Sequence, residues 1–210
     1  KSEYLQLLLK TILMHIGQKL IYSKLDKTVK SNDLSRAYSV LEKARILYKV
    51  KHSPANGIPI GFDSLDAKFK PLFFDVGLVC RSMGLKLTDF IESQKPVLEN
   101  IGALGEQFVG QHILFSGEEY EEPMAYCWMR ESAGASAEVD YVYQVANKII
   151  PIEVKSGKTG SMKALHIFLD EKKKDFAVRI NGDMPSFIGK VNHLSVKGDA
   201  CSYSLLSLPF

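Results

Sequence analysis

Two apolar runs, Glu138 to Val145 and Ile149 to Lys155, are separated by only three residues, with a tight turn at Ala146-Asn147. So short a gap favours an antiparallel hairpin. Strand side chains alternate between faces, which puts Glu138 and Asp140 on one side. On the next strand Glu153 and Lys155 share a side, while Ile152 and Val154 point the other way. With Ala146-Asn147 as the loop, residue i pairs with residue 293 − i. Asp140 then lies across from Glu153, with β-carbons about 4.5–5.5 Å apart. Moving the loop to Asn147-Lys148 sets Asp140 opposite Lys155 instead. Both registers keep Asp140, Glu153 and Lys155 on one face, and a three-residue loop would break the arrangement.

Two carboxylates held that close repel, and ionising both is costly. A divalent cation removes the cost, and Mg²⁺ is bound through one or two carboxylates together with waters and phosphate oxygens. Such an ion can generate hydroxide and stabilise a phosphoryl transition state, with Lys155 beside the metal water. Glu106, at the edge of its helix's apolar face, is placed to reach the same cleft as a further ligand. The plainer reading is a Glu-x-Lys pair decorating a solvated strand edge. Ile149-Ile150 and Ile152-Val154 argue against it, because charges on a buried strand need a reason.

Upstream the periodicity is helical. Tyr4, Leu5, Leu8, Leu9, Ile12, Leu13 and Ile16 recur at three and four residues, and Gly17 closes or bends that helix. A second helix is expected near Ile21–Val29. A third is expected to be capped by Ser31-Asn32-Asp33 and apolar at Leu34, Ala37, Val40, Leu41 and Ala44. Ile46 to Val50 and Lys70 to Phe74 read as strands around a turn-rich loop, Pro54 to Pro59. Asp75-Val76-Gly77-Leu78 then starts another helix. Helix, helix, turn, helix and hairpin is the order of a winged helix. The expected boundary lies between Gly84 and Pro96, which divides the chain into 1–95 and 96–210. The second part opens with a helix over Glu99–Leu114, followed by a loop carrying Glu118, Glu119, Glu121 and Glu122. Ala125–Met129, Ala177–Ile180 and His193–Val196 read as further strands, and Met162–Lys173 as a helix. The expected fold class is α/β, a winged-helix-like module followed by a mixed sheet flanked by helices.

Charge divides near the same point. Residues 1–95 hold 16 Lys/Arg against 9 Asp/Glu, and residues 96–210 hold 11 against 15. The basic first part suits DNA or an acidic partner, with Arg36, Lys43, Arg45 and Lys49 as the phosphate-seeking groups; a solvated surface accounts for the same charges. Three cysteines at wide spacing make neither a disulfide framework nor a zinc set, which points to a reducing cytoplasm. No apolar run approaches the roughly 20 residues of a membrane span. Ser156-Gly157-Lys158-Thr159 imitates a phosphate-binding loop, but Ile152 stands where that motif needs glycine. His112 and His166 lack metal-ligand spacing and read as ordinary surface or core histidines. A helical pattern already under way at Lys1, and an apolar run closing on Phe210, suggest a piece of a longer polypeptide.

Several blocks together resemble the C-terminal region of bacterial and archaeal AAA-type ATPases that carry the DUF4143 domain. They are Ile16-Gly17 with Ser23-Lys24-Leu25, Tyr38 to Ile46, Lys70 to Leu78, Gly102 to Val109, Trp128 to Arg130, Glu138 to Val142 and Ile152 to Gly157. The resemblance implies an ATPase domain ahead of Lys1, so that ATP is not bound by this part. It also implies a PD-(D/E)XK, restriction-endonuclease-like fold for 96–210. Onto Asp140, Glu153 and Lys155 it carries catalytic roles, and onto Asp140, Glu153 and Glu106 the binding of Mg²⁺ or Mn²⁺. Gly105 departs from the family by standing where a bulkier apolar residue is common, and the Asn32-Asp33 stretch is shorter than a usual helix-turn-helix. Two functions follow as expectations. One is a metal-dependent nuclease; the other is a non-catalytic DNA- or protein-binding module coupled to the ATPase.

Overall fold

The computed structural model describes residues 2–85, 101–132, 135–155, 161–195 and 198–209. The expected boundary beyond residue 85 and the Ser156–Thr159 run lie outside them. The chain opens with three helices, α1 (Ser2–Leu13), α2 (Tyr22–Leu25) and α3 (Ser31–Lys43). Leu8 and Ile12 of α1 pack against Leu34, Ala37, Tyr38 and Leu41 of α3. The exposed face of α3 differs from expectation: Val40 is solvent-exposed and Tyr38 buried. A 3.6-residue turn stacks positions 34, 37, 38 and 41, and leaves 40 off that stripe. Lys30, not Ser31, occupies the cap position, and no side chain caps the helix.

An antiparallel hairpin follows, β1 (Leu47–His52) with β2 (Leu65–Phe73). Next comes α4 (Val76–Ser82), whose start is fixed by Asp75 accepting the Leu78 N–H at 3.0 Å, as a helix cap should. Beyond it lie α5 (Ile101–Leu114), β3 (Ala125–Ser132), β4 (Ala135–Val145), β5 (Lys148–Val154), α6 (Lys163–Lys172), β6 (Phe176–Asn181), β7 (Ser186–Leu194) and β8 (Ala200–Pro209). All eight strands join one mixed sheet in the order β2-β1-β3-β4-β5-β6-β8-β7.

Two features of that sheet set up the site. β1 runs parallel to β3, pairing Val50 with Ala125 and His52 with Cys127, so the first hairpin continues the second part's sheet. Tyr48, Val50 and Leu72 share one core cluster with Val109, Leu114, Cys127, Met129, Tyr141 and Ile152. On the other side of the sheet Trp128, Val139, Val142, Ile149 and Ala177 pack with Leu165, Phe168 and Leu169 of α6. The second feature is a bulge. Tyr126 pairs with Val142 and Trp128 with Val139, so two steps on β3 face three on β4. An extra residue on one strand breaks the alternation and re-aims side chains. Val139 and Val142 consequently join the same cluster although they are three apart.

Candidate functional site: a carboxylate cluster around a buried lysine

The β4–β5 hairpin has the register that a two-residue loop at Ala146-Asn147 requires, with Val145 across from Lys148 and Tyr141 across from Ile152. The regular pairing stops there. One step further, Asp140 uses Oδ2 to accept the Val154 N–H at 2.8 Å, taking a backbone donor of the neighbouring strand. This bond pins the carboxylate at the point where the two strands cease to pair. Ala146 adopts φ +50°, in the left-handed region that a tight hairpin turn demands.

Lys70, on β2, lies at the centre of the site. It is 1% exposed. Its Nζ stands 2.9 Å from Glu138 Oε1, 3.3 Å from Glu106 Oε2 and 3.9 Å from Asp140 Oδ1. It also lies 5.4 Å from the centre of the Tyr141 ring. The bulge explains how consecutive residues reach one lysine: Asp140 offers its carboxylate, and Tyr141 its ring. Burial works against the Lys70 charge, but Glu106, Glu138 and Asp140 outweigh it and hold its pKa well above the ordinary lysine value.

Glu106 comes from α5. Tyr141 Oη donates to the Glu106 carbonyl at 2.8 Å, which ties the helix to β4 at this level. Gly17, after α1, closes the cluster from the other side. Its φ is +72°, and a β-carbon there would sit 3.0 Å from Glu106 Oε2, so the turn and the close approach both call for glycine. Burial raises the Glu106 carboxyl to about 7; Lys70 opposes the rise, and Asp140 and Glu138 add to it.

Glu153 and Lys155 complete the group. Glu153 is 4% exposed. Its Oε1 accepts from Lys155 Nζ at 2.5 Å, while Oε2 is buried with no partner among the described residues. Burial and then the Asp140 charge push its carboxyl up to about 7. Burial lowers the Lys155 pKa, but the Glu153 contact more than compensates, leaving it raised. Four carboxyl groups therefore meet two ammonium groups. Oxygen donors in excess of local positive charge suit a hard divalent cation, and the unpartnered Glu153 oxygen is where such an ion would relieve a cost.

The structure gathers Glu106, Asp140, Glu153 and Lys155 into one electrostatic cluster. It adds Lys70 and Glu138. Lys70 had one legible signal, a cation inside the apolar strand Phe69-Lys70-Pro71-Leu72-Phe73, where a charge demands partners. The basic residues of the first part are spread out. Arg36 is exposed and 3.7 Å from Asp33, and Lys43 is exposed. Arg45 pairs with Glu122 at 2.9 Å, and Lys49 pairs with Glu42 at 3.2 Å beside the Tyr38 and Phe69 rings. His112 bonds within its own helix, to the Phe108 carbonyl.

Among the described residues no helix is long and apolar enough to cross a membrane. No curated protein matches the chain. Residues 1–89 match the family model described as Domain of unknown function (DUF8612), which takes in α1 to α4 and Lys70. Residues 101–193 match the model described as Domain of unknown function (DUF4143), which takes in Glu106, Glu138, Asp140, Glu153 and Lys155. The second part of this chain thus matches the DUF4143 model over residues 101–193, and the carboxylate cluster it contains is completed by a lysine from the part that precedes it.

Proposed function

We propose that the cluster is a divalent-cation site for phosphodiester hydrolysis, in a PD-(D/E)XK nuclease-like domain that serves as the C-terminal module of a AAA-type ATPase. The observation that carries this reading is Glu153, a buried carboxyl with one oxygen unpartnered, raised by a neighbouring Asp140 and flanked by Lys155. Asp140, Glu153 and Glu106 would hold Mg²⁺ or Mn²⁺. When bound, such an ion supplies an activated water and neutralises charge developing on phosphate. The protein's own groups then have distinct tasks. Val154 N–H orients Asp140, and Lys155 keeps Glu153 in place and offers a cation to the phosphate. Lys70 holds Glu106, Glu138 and Asp140 together as a fixed countercharge. The test incubates the protein with single- and double-stranded DNA and RNA in Mg²⁺ or Mn²⁺. Cleavage should fall at least about 100-fold in Asp140→Asn and in Lys155→Met, an effect of the size expected for lost electrostatic stabilisation. Equal cleavage by both variants would remove the assignment.

One observation favours a second reading. Lys70 already places a positive charge among three of the carboxylates, so the cluster is partly neutralised without an ion. On this reading the domain is a non-catalytic DNA- or protein-binding module that couples a partner to the ATPase, and the three helices and hairpin act as a winged helix. Lys43 and the largely exposed Arg36, which meets Asp33 only at 3.7 Å, are its best phosphate-seeking groups, because Arg45 and Lys49 are engaged more closely by Glu122 and Glu42. DNA binding that weakens steeply with salt, without cleavage, distinguishes it from the first.

A further inference from the structure

On the α6 side of the sheet, away from Lys70, three residues from three elements converge. Asp170 is in the last turns of α6, His193 is on β7 and Cys201 is on β8. His193 and Cys201 are direct cross-strand partners in the antiparallel β7–β8 pair, so their side chains leave the hairpin together. Their ligand atoms and one carboxylate oxygen of Asp170 all lie within 4.8 Å of one another. His193 Nε2 is 2.8 Å from Asp170 Oδ1.

The trio does not satisfy itself. The His193 side chain is 5% exposed and that of Asp170 14%. His193 Nδ1 and Asp170 Oδ2 are both buried with no partner among the described residues. The Cys201 thiol is directed at Asp170 but is only a weak donor, so the buried carboxylate is under-served. A Cys-His-Asp nucleophile fits poorly, since partial burial and then the Asp170 charge raise the Cys201 thiol above its ordinary value, opposite to an activated thiolate.

We infer that Asp170, His193 and Cys201 form a transition-metal site of the zinc class, separate from the carboxylate cluster around Lys70. One oxygen, one imidazole nitrogen and one sulfur is a donor set that zinc accepts and that Mg²⁺ does not favour. The ion would bind His193 Nε2 in place of the hydrogen bond to Asp170, the ring keeping its one proton on Nδ1, with a small opening of that pair to the separation of tetrahedral ligands. The Cys201 thiol proton is released to solvent on binding. Three protein ligands leave a fourth position for water or a further ligand. His166 sits one helical turn before Asp170. Its ring stacks on His193 at 4.5 Å, and its Nε2 is 3.1 Å from Tyr203 Oη, so it steadies the ligand ring from behind. The match to the DUF4143 model includes Asp170 and His193 but stops before Cys201. The site would clip the outer β7–β8 hairpin onto α6.

Cobalt(II) is the probe, because a thiolate ligand gives a charge-transfer band that an all-oxygen site cannot. The reduced full chain, titrated with Co²⁺, should develop that band at one equivalent and lose it when Zn²⁺ is added. Cys201→Ser should abolish the band, and His193→Gln should weaken Co²⁺ binding at least about tenfold. Cys127→Ala, which alters the thiol near Lys70, should retain the band. Zn²⁺ should also raise the melting temperature of the wild type and leave that of Cys201→Ser unmoved, a comparison made within each folded protein. Absence of a thiolate band in the wild type, or its persistence in Cys201→Ser, overturns the assignment.

Discussion

Lys70 illustrates how one residue ties two stretches of sequence together. Its partners Glu106, Glu138 and Asp140 are 36, 68 and 70 positions away, on a helix and a strand of the second part. Removing one member of a buried ion group leaves the others uncompensated and costs about 3–5 kcal/mol. Lys70→Met keeps the apolar stem and deletes the charge, so its effect isolates the ammonium. We expect a loss of that order in urea unfolding at pH 8. Part of it should return at pH 5.5, where Glu106 protonates, or on adding Mn²⁺. Unchanged stability at pH 8 would mean the ammonium holds nothing. Sequence reasoning reached Asp140, Glu153 and Lys155 through alternation, since either two-residue hairpin loop relates them locally. It missed Lys70 because nothing local relates β2 to α5 or β4.

At the scale of elements, α5 is the hub that sets the site's depth. Gln107 is 1% exposed and clamps β2 with both ends of its amide. It accepts from Phe73 N–H at 3.0 Å and donates to the Phe73 carbonyl at 2.8 Å. Gln111 accepts the Val76 N–H at 2.7 Å, fixing the start of α4. One turn along α5, Gly110 lets the helix approach the sheet. A β-carbon there would overlap Tyr141 Oη and lie 2.7 Å from Leu72 Cδ1. Gly110→Ala should therefore destabilise by about 1–3 kcal/mol, the usual range for overpacking, despite alanine's better helix propensity. Thermal unfolding measures it, and a stabilised variant would show that the helix has room to move. The bulge on β4 belongs to this scale too. Strict alternation cannot announce it, because an extra residue is visible only against the partner strand.

For the whole molecule, the two family matches divide the chain, yet the sheet and one core cluster run across the division. The acid cluster also gives stability a pH dependence. Glu106 and Glu153 have folded-state values near 7, above the ordinary 4.5. Between those values the folded chain binds more protons than the unfolded one, so unfolding free energy falls as pH rises through that window and levels off above it. Chemical denaturation from pH 4.5 to 8 should show this decline, and Glu153→Gln should flatten part of it. Divalent metal should oppose the decline at the upper end, by binding the ionised acids. A stability that rises steadily across this range would contradict the pKa assignments.

What the sequence determined by itself was local: helical periodicity in α1 and α3, a helix start at Asp75, and a tight β4–β5 hairpin whose two possible registers both keep an acid pair and a lysine on one face. These depend on neighbours within a turn or a hairpin, where backbone geometry leaves few choices. Tertiary structure alone decided that the first hairpin extends the second part's sheet, that β8 lies between β6 and β7, and that the acids converge on Lys70. It also decided that Asp170, His193 and Cys201 meet. Such contacts depend on how separate elements bury their apolar faces against one another, and no spacing along the chain encodes that distance.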